Sequence, residues 1–70
     1  MAESGEVIKA VELFDQVLSV KPDFADAYFN RGILNLYLGE KRKAIQDLSR
    51  AGELGINDAY NIIKRYGNDI

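Results

Sequence analysis

The sequence predicts an all-α fold of about four helices arranged as antiparallel helical hairpins. Glycine and proline divide the chain into four stretches, and apolar residues recur within each stretch at spacings of three and four. No segment alternates apolar and polar residues in the way that a half-buried strand requires. We therefore expect one small helical domain spanning residues 1–70.

The first helix is predicted to run from about Val7 to Val20, with Ser4 as its N-cap. Its apolar residues form one stripe, and polar residues occupy the remaining positions. This helix is therefore expected to bury one face and to expose the other. The stripe consists of Val7, Ala10, Val11, Phe14, Val17 and Leu18.

The second helix follows Pro22 and is predicted to run from about Phe24 to Leu38. Asp23 is the expected N-cap, and Asp26 three residues later resembles a capping box. Gly39 is expected to end the helix, because glycine adopts positive φ without strain. Two faces of this helix are apolar, which places it between two neighbours. The broad face contains Ala25, Tyr28, Phe29, Gly32, Ile33 and Leu36, and the narrow one contains Ala27, Leu34 and Leu38.

The third and fourth helices are shorter and each has one apolar stripe. The third is predicted from about Glu40 to Leu54, and the fourth from Asn57 or Asp58 to about Tyr66. Tyrosine is enriched at interface hot spots, so Tyr60 and Tyr66 are candidate anchors for a partner, although packing in the core is favoured. The stripes consist of Ala44, Ile45, Leu48, Ala51 and Leu54 in the third helix and of Ala59, Ile62, Ile63 and Tyr66 in the fourth.

The chain contains an internal repeat. The segments "GEVIKA" and "GEKRKA", which begin at Gly5 and Gly39, lie 34 residues apart and share four residues in register. In each case an alanine, Ala25 or Ala59, opens the next helix. A helix–turn–helix period of 34 residues resembles the tetratricopeptide repeat family. Residues 25–58 resemble one full repeat, residues 5–24 the second helix of a preceding repeat, and residues 59–67 a capping helix or the first helix of a following repeat.

The resemblance assigns structural roles to individual residues. The family often has an arginine at the position of Arg31 and an aspartate on the facing helix, which implies a salt bridge between Arg31 and Asp47. The chain departs from the family pattern at Asn35, where an aromatic residue is expected, and at Ile56, where proline is expected. The matching repeat positions are Ala10, Phe14, Pro22, Tyr28, Gly32, Gly39, Ala44, Leu48 and Ala51.

The resemblance also implies a function, which is protein–protein interaction through a concave groove lined by the first helices of the repeats. The alternative is that the matching residues are core residues packed on the fourth helix. Phe29 and Ile33 stand where the family's carboxylate clamp has polar groups, and only Asn30 matches that clamp. An apolar or amphipathic peptide or helix is therefore the favoured ligand. The candidate partner-binding residues are Asp26, Phe29, Asn30, Ile33, Leu36 and Tyr37.

Other functions stay open. The first helix of the preceding repeat is missing, and the resulting apolar edge permits a dimer, a stack of copies, or a piece of a longer repeat array. Residues 1–35 hold three basic and six acidic residues, whereas 36–70 hold six and five, which also permits head-to-tail contact. The basic run Lys41–Lys43 is interpreted as a solvated helix face rather than a nucleic-acid site.

Composition argues against catalysis and against metal binding. The chain has no cysteine and no histidine, so thiolate ligands, the commonest metal ligand and the commonest general base near neutral pH are absent. We expect no cofactor, no small-molecule substrate and no enzymatic activity. The sequence shows neither a secretory signal nor a membrane span, which favours a cytoplasmic location.

Overall fold

The computed structural model describes residues 4–67, and within them four α-helices and no strand are present. The all-α hairpin fold predicted from the sequence is confirmed. α2 packs against both α1 and α3, and α3 also packs against α4. Ser4 is already the first helical residue rather than the cap before the helix. The helices are α1 (Ser4–Val20), α2 (Ala25–Tyr37), α3 (Lys41–Glu53) and α4 (Asp58–Gly67).

The start of α2 differs from the prediction. Phe24 is the N-cap residue, with φ −78° and ψ 97°, and no side chain makes a capping hydrogen bond there. The prediction that Asp23 caps this helix is therefore wrong. The turn is closed instead by the Phe24 amide, which donates to the Lys21 carbonyl at 3.2 Å, and by the Tyr28 hydroxyl, which donates to the Pro22 carbonyl at 3.0 Å. A side chain in the first turn of α2 thus ties the helix to the loop before it.

α2 and α3 end in the same type of turn. Gly39 and Gly55 both have positive φ, +80° and +116°, which residues with a side chain rarely adopt. The Glu40 amide donates to the Asn35 carbonyl at 2.8 Å, and the amide after Gly55 donates to the Ala51 carbonyl at 3.0 Å. These bonds are typical of a Schellman motif, which satisfies carbonyls at a helix end. Each glycine therefore permits a reversal of chain direction, so that α3 packs against α2 and α4 packs against α3.

The core is small and is built mainly from small residues. Leu48, Ala51 and Ala59 have no exposed surface and form its centre, and Leu48 is the one large side chain within residues 4–67 that is fully buried. Small side chains at helix crossings let the helix axes approach closely. Larger apolar side chains surround this centre and are only partly buried. They are Tyr28, Phe29, Leu36, Ile56, Ile62 and Ile63.

Two glycines lie where neighbouring helices are too close for a side chain. A Cβ atom at Gly32 would lie 2.9 Å from Leu48 Cγ, so the α2–α3 crossing requires glycine. A Cβ atom at Gly52 would lie 2.5 Å from Tyr60 Cζ, because the Tyr60 ring of α4 rests on the backbone of α3. The same ring remains 47% exposed. Tyr60 therefore packs against α3 with one part of its ring and presents the other part to solvent.

The register of α4 differs from the one expected. The triplet Asp-Ala-Tyr occurs at 26–28 and again at 58–60, which is an offset of 32 residues rather than 34. Its alanine is buried in both copies, with Ala27 1% exposed and Ala59 0% exposed, whereas Ala25 is only half-buried. By burial Ala59 corresponds to Ala27 rather than to Ala25, although Ala25 opens α2 and Ala59 is the second residue of α4. The sequence between α3 and α4 is shorter than the repeat period implies.

We expect Gly32→Ala to lower the free energy of unfolding by about 1–2 kcal/mol. Overpacking against the buried Leu48 costs about 1–3 kcal/mol, and the better helix propensity of alanine recovers up to about 1 kcal/mol of this. Urea denaturation followed by far-UV circular dichroism measures the change. Gly5→Ala is the matched control, because a Cβ atom there has no neighbour within 4 Å. Equal effects of the two substitutions would contradict a tight α2–α3 crossing.

Candidate functional site

Four of the six candidate partner-binding residues form an exposed surface on α2, here called the α2 strip. Asp26, Asn30, Ile33 and Tyr37 follow one another at spacings of four, three and four residues and therefore lie on one face of the helix. Ile33 is 40% exposed and Tyr37 is 59% exposed. The two polar residues are exposed as well and lie nearer the start of the helix. The strip thus has an acidic and polar end and an apolar end.

The other two candidates, Phe29 and Leu36, are half-buried. Both pack against the core cluster that Leu48, Ala51 and Ala59 form. The cluster belongs to α3 and α4, so Phe29 and Leu36 lie on the side of α2 that faces the core. These two residues therefore support α2 on the core, and the exposed contact surface is narrower than the six residues proposed from the sequence.

A polar network links α1, α2 and α3. Arg31 donates to both carboxylate oxygens of Asp47, from Nε to Oδ2 at 2.9 Å and from Nη2 to Oδ1 at 2.7 Å. Its Nη1 donates to Asp15 Oδ1 at 2.7 Å. Asn35 Nδ2 donates to Asp47 Oδ2 at 3.0 Å. The structure thus brings together Arg31 and Asp47, the pair implied by the family resemblance, and adds two residues that the sequence did not assign to it.

The centre of the network is shielded from water. Asp47 is 6% exposed and Asn35 is 5% exposed, and no buried side-chain nitrogen or oxygen within residues 4–67 lacks a hydrogen-bond partner. Hydrogen bonds from Arg31 to Asp47 hold the pKa of Arg31 above its ordinary value, against the opposing effect of burial, and Asp15 adds to this. A base with a raised pKa contributes its full stabilisation at every pH below its ordinary pKa. The Arg31 contribution is therefore constant across the neutral range.

Asn35 explains one departure from the family pattern. The Asn35 amide gives the buried Asp47 Oδ2 a second hydrogen-bond donor beside Arg31 Nε, which an apolar aromatic ring at this position could not supply. Arg31 and Asn35 are four residues apart, so the sequence placed them on one face of α2. Asp15 left no such signal, because it lies on another helix and the family resemblance, which pointed to Asp47, assigns it no pairing with Arg31.

The basic residues do not form a separate charged site. Arg42 and Lys43 are exposed, and Lys43 Nζ lies 3.7 Å from a Glu40 carboxylate oxygen. Arg50 Nη1 lies 3.2 Å from the carboxylate of Glu53, and this hydrogen bond raises the pKa of Arg50. Glu40 and Glu53, at the two ends of α3, thus lie beside basic side chains, as on an ordinary solvated helix face.

Two further kinds of site are absent from the part of the chain that the structure describes. Residues 4–67 contain no cluster of three or more acidic, histidine or cysteine side chains that could hold a metal ion. None of the four helices is both long and apolar enough to cross a membrane.

Comparison with known proteins finds relatives among repeat proteins. The chain is 42% identical over 50 residues to tetratricopeptide repeat protein 36 of Danio rerio, a match that covers 71% of this chain and 27% of that protein. It is 40% identical over 53 residues to the protein of the same name from Homo sapiens, with 76% and 28% covered. The chain thus spans just over a quarter of the length of these relatives.

A further match is to a much longer protein. The chain is 36% identical over 64 residues to protein O-mannosyl-transferase TMTC3 of Homo sapiens, which covers 87% of this chain and 7% of that protein. No protein-family model and no solved structure matches the chain.

We expect Asp47→Ala to destabilise the fold much more than Asp15→Ala, although both remove a carboxylate from Arg31. Removing Asp47 leaves Arg31 and Asn35 without their buried acceptor, which we expect to cost about 2–4 kcal/mol. The Asp15 side chain is 56% exposed, and an exposed pair contributes at most about 1 kcal/mol. Urea denaturation at low and high salt measures both. Equal losses would show that Asp47 is not the centre of the network.

Proposed function

Because this chain belongs to the tetratricopeptide repeat family, we propose that it is a protein-interaction module that binds an apolar or amphipathic segment over the α2 strip. The observation that carries the proposal is the exposure of Ile33 and Tyr37 on the same face of α2, one helical turn apart. Large apolar side chains that stay exposed next to polar residues are typical of interaction surfaces. Tyrosine in particular supplies much contact area in protein interfaces.

The charge and length of the α2 strip indicate the charge and length of a matching ligand. Asp26 is the only charged residue among its four, so a basic or neutral group is favoured at the Asp26 end, and an acidic tail is disfavoured. From Asp26 to Tyr37 the helix rises about 16 Å, at 1.5 Å per residue. A partner helix of about three turns matches this length. Its apolar face would meet Ile33 and Tyr37.

The proposed role is non-catalytic. The relatives that share the repeat are named for the repeat itself, and the match to the mannosyl-transferase covers 7% of that protein. Within residues 4–67 the buried ionisable side chain is Asp47, and both of its oxygens accept hydrogen bonds from Arg31 and Asn35. These hydrogen bonds hold α2 and α3 together.

Self-association is a second candidate, and a different surface favours it. On α1, Leu13 is 57% exposed and Val20 is 80% exposed. On α4, Asn61, Lys64 and Arg65 form an exposed polar face, and Tyr60 and Tyr66 of the same helix are 47% and 40% exposed. Stacked repeats need a polar outer face at each end to remain soluble. The α4 end has such a face and the α1 end does not.

We expect Ile33→Glu to weaken binding of a peptide selected for this chain by about tenfold or more, which is about 1.4 kcal/mol. A carboxylate at the centre of the strip must be desolvated by an apolar ligand. Peptides of about 12 residues, which span three helical turns, are selected from a displayed library, and calorimetry gives the affinity. Because Ile33 is 40% exposed, the helicity of the variant should be unchanged.

Ile8→Glu is the matched control, because Ile8 is 49% exposed on α1 and lies outside the strip. Its affinity for the same peptide should equal that of the parent chain. When the chain is titrated with the peptide, the backbone amide NMR resonances of α2 should shift, and those around Ile33 and Tyr37 should shift most. If Ile8→Glu weakens binding as much as Ile33→Glu, or if the α2 resonances do not shift, the strip is not the binding surface.

A further inference from the structure

α1 carries a second apolar face, here called the α1 seam. The seam consists of Ala10, Leu13, Val17 and Val20, at spacings of three, four and three residues. This is the spacing with which a and d residues of a coiled coil meet a partner helix. Leu13, Val17 and Val20 are 57%, 36% and 80% exposed.

The seam is distinct from the face of α1 that packs within the chain. α1 packs against α2, and its two buried residues are Val7 and Leu18, which are 6% and 8% exposed. Around the helix axis, at about 100° per residue, the centre of the seam lies about a quarter-turn or more from these two residues. α1 therefore has one apolar face that α2 covers and another that nothing in the chain covers within residues 4–67.

We infer that the α1 seam is the interface of a symmetric dimer, in which α1 packs antiparallel against α1 of a second copy. The inference rests on the self-association proposed as the second candidate function and is independent of peptide binding at the α2 strip. In such an isologous contact the same patch is used by both copies. Leu13 and Val17 of one copy then face those of the other near the two-fold axis.

The polarity of α4 favours α1 as the partner surface. In a head-to-tail stack, the α1 seam would meet the outer face of α4, where Asn61, Lys64 and Arg65 are exposed. Burying these groups against leucine and valine without hydrogen-bond partners would cost free energy. A seam that meets a second seam buries apolar side chains only. The contact also closes after two copies.

The charges at the two ends of the seam favour the antiparallel direction. Glu6 lies four residues before Ala10, on the line of the seam, and is exposed. Lys21 follows the seam at the other end, and its amide still donates to the Val17 carbonyl at 2.8 Å, so the helical turn continues to it. An antiparallel pair centred between Leu13 and Val17 brings the Glu6 end of each copy, which also carries the exposed Lys9, to the Lys21 end of the other. At about 100° per residue Glu6 lies on the line of the seam and Lys9 lies beside it, so Glu6 is the charge on the seam at that end. Parallel packing would instead bring Glu6 to Glu6 and Lys21 to Lys21.

The size of the seam predicts the strength of the dimer. α1 has 17 residues and is about 25 Å long at 1.5 Å per residue. One pair of helices of this length buries less area than the roughly 1,200–2,000 Å² of a stable interface. Interfaces of about 1,600 Å² range from micromolar to picomolar dissociation constants, so we expect this smaller one at or beyond the weak end, on the order of 10–100 µM.

Sedimentation equilibrium of the full chain from about 10 µM to about 1 mM, a range that brackets this constant, tests the inference. The parent chain should fit a monomer–dimer equilibrium. The double variant Leu13→Glu/Val17→Glu should stay monomeric, with its helicity unchanged because both residues are exposed. The control is Ile8→Glu. Ile8 lies on α1 outside the seam and is 49% exposed, between Val17 at 36% and Leu13 at 57%. This variant should dimerise like the parent. A parent chain that is monomeric at the highest concentration overturns the inference.

Charge reversal tests the antiparallel geometry. Glu6→Lys and Lys21→Glu should each weaken the dimer by about threefold to tenfold, which is the range of an exposed ion pair. The double reversal Glu6→Lys/Lys21→Glu should restore it, because positions 6 and 21 of opposite copies then carry opposite charges again. Failure to restore the dimer, or growth of the mass beyond two copies, overturns the symmetric arrangement. Ile33→Glu should leave the dimer intact, so that failure of the α2 strip and failure of the α1 seam are told apart.

Discussion

The hydrogen bonds that the buried Asp47 carboxylate accepts are the interactions on which the rest of the structure depends. A charged group at 6% exposure is tolerated only when hydrogen bonds and an opposite charge replace its water. Arg31 and Asn35 of α2 supply them, and Arg31 reaches from the same position to Asp15 of α1. Because these bonds have fixed lengths and directions, α2 can rotate little between its two neighbours.

That fixed rotation decides which face of α2 is left exposed. Gly32 faces Leu48 at a distance too short for a side chain, and Ala27 is buried on another side of the helix. The face of α2 that remains exposed is the α2 strip, from Asp26 to Tyr37. The exposure of Ile33 and Tyr37 is therefore a consequence of the polar network and the glycine crossing.

A core whose centre consists of alanine and one leucine, with glycine at the helix crossings, leaves many large apolar side chains at the periphery. In a repeat array, neighbouring repeats cover such side chains. Two of the surfaces that stay open within residues 4–67 are the α2 strip and the α1 seam, which lie on different helices and differ in character. The strip combines polar and apolar residues, as a ligand-binding surface does, whereas the seam is apolar along its length, as a helix–helix contact is.

The sequence by itself determined the all-α fold, the bounds of α2 and α3 to within one residue, and the turn at Gly39, because periodicity and glycine placement are local signals. It also placed Arg31 and Asp47 on facing helices, through the resemblance of a 34-residue repeat. Only the tertiary structure decided that Phe29 and Leu36 face the core while Ile33 and Tyr37 do not. Periodicity shows which residues share a face of a helix, but what covers that face depends on residues far away in the chain.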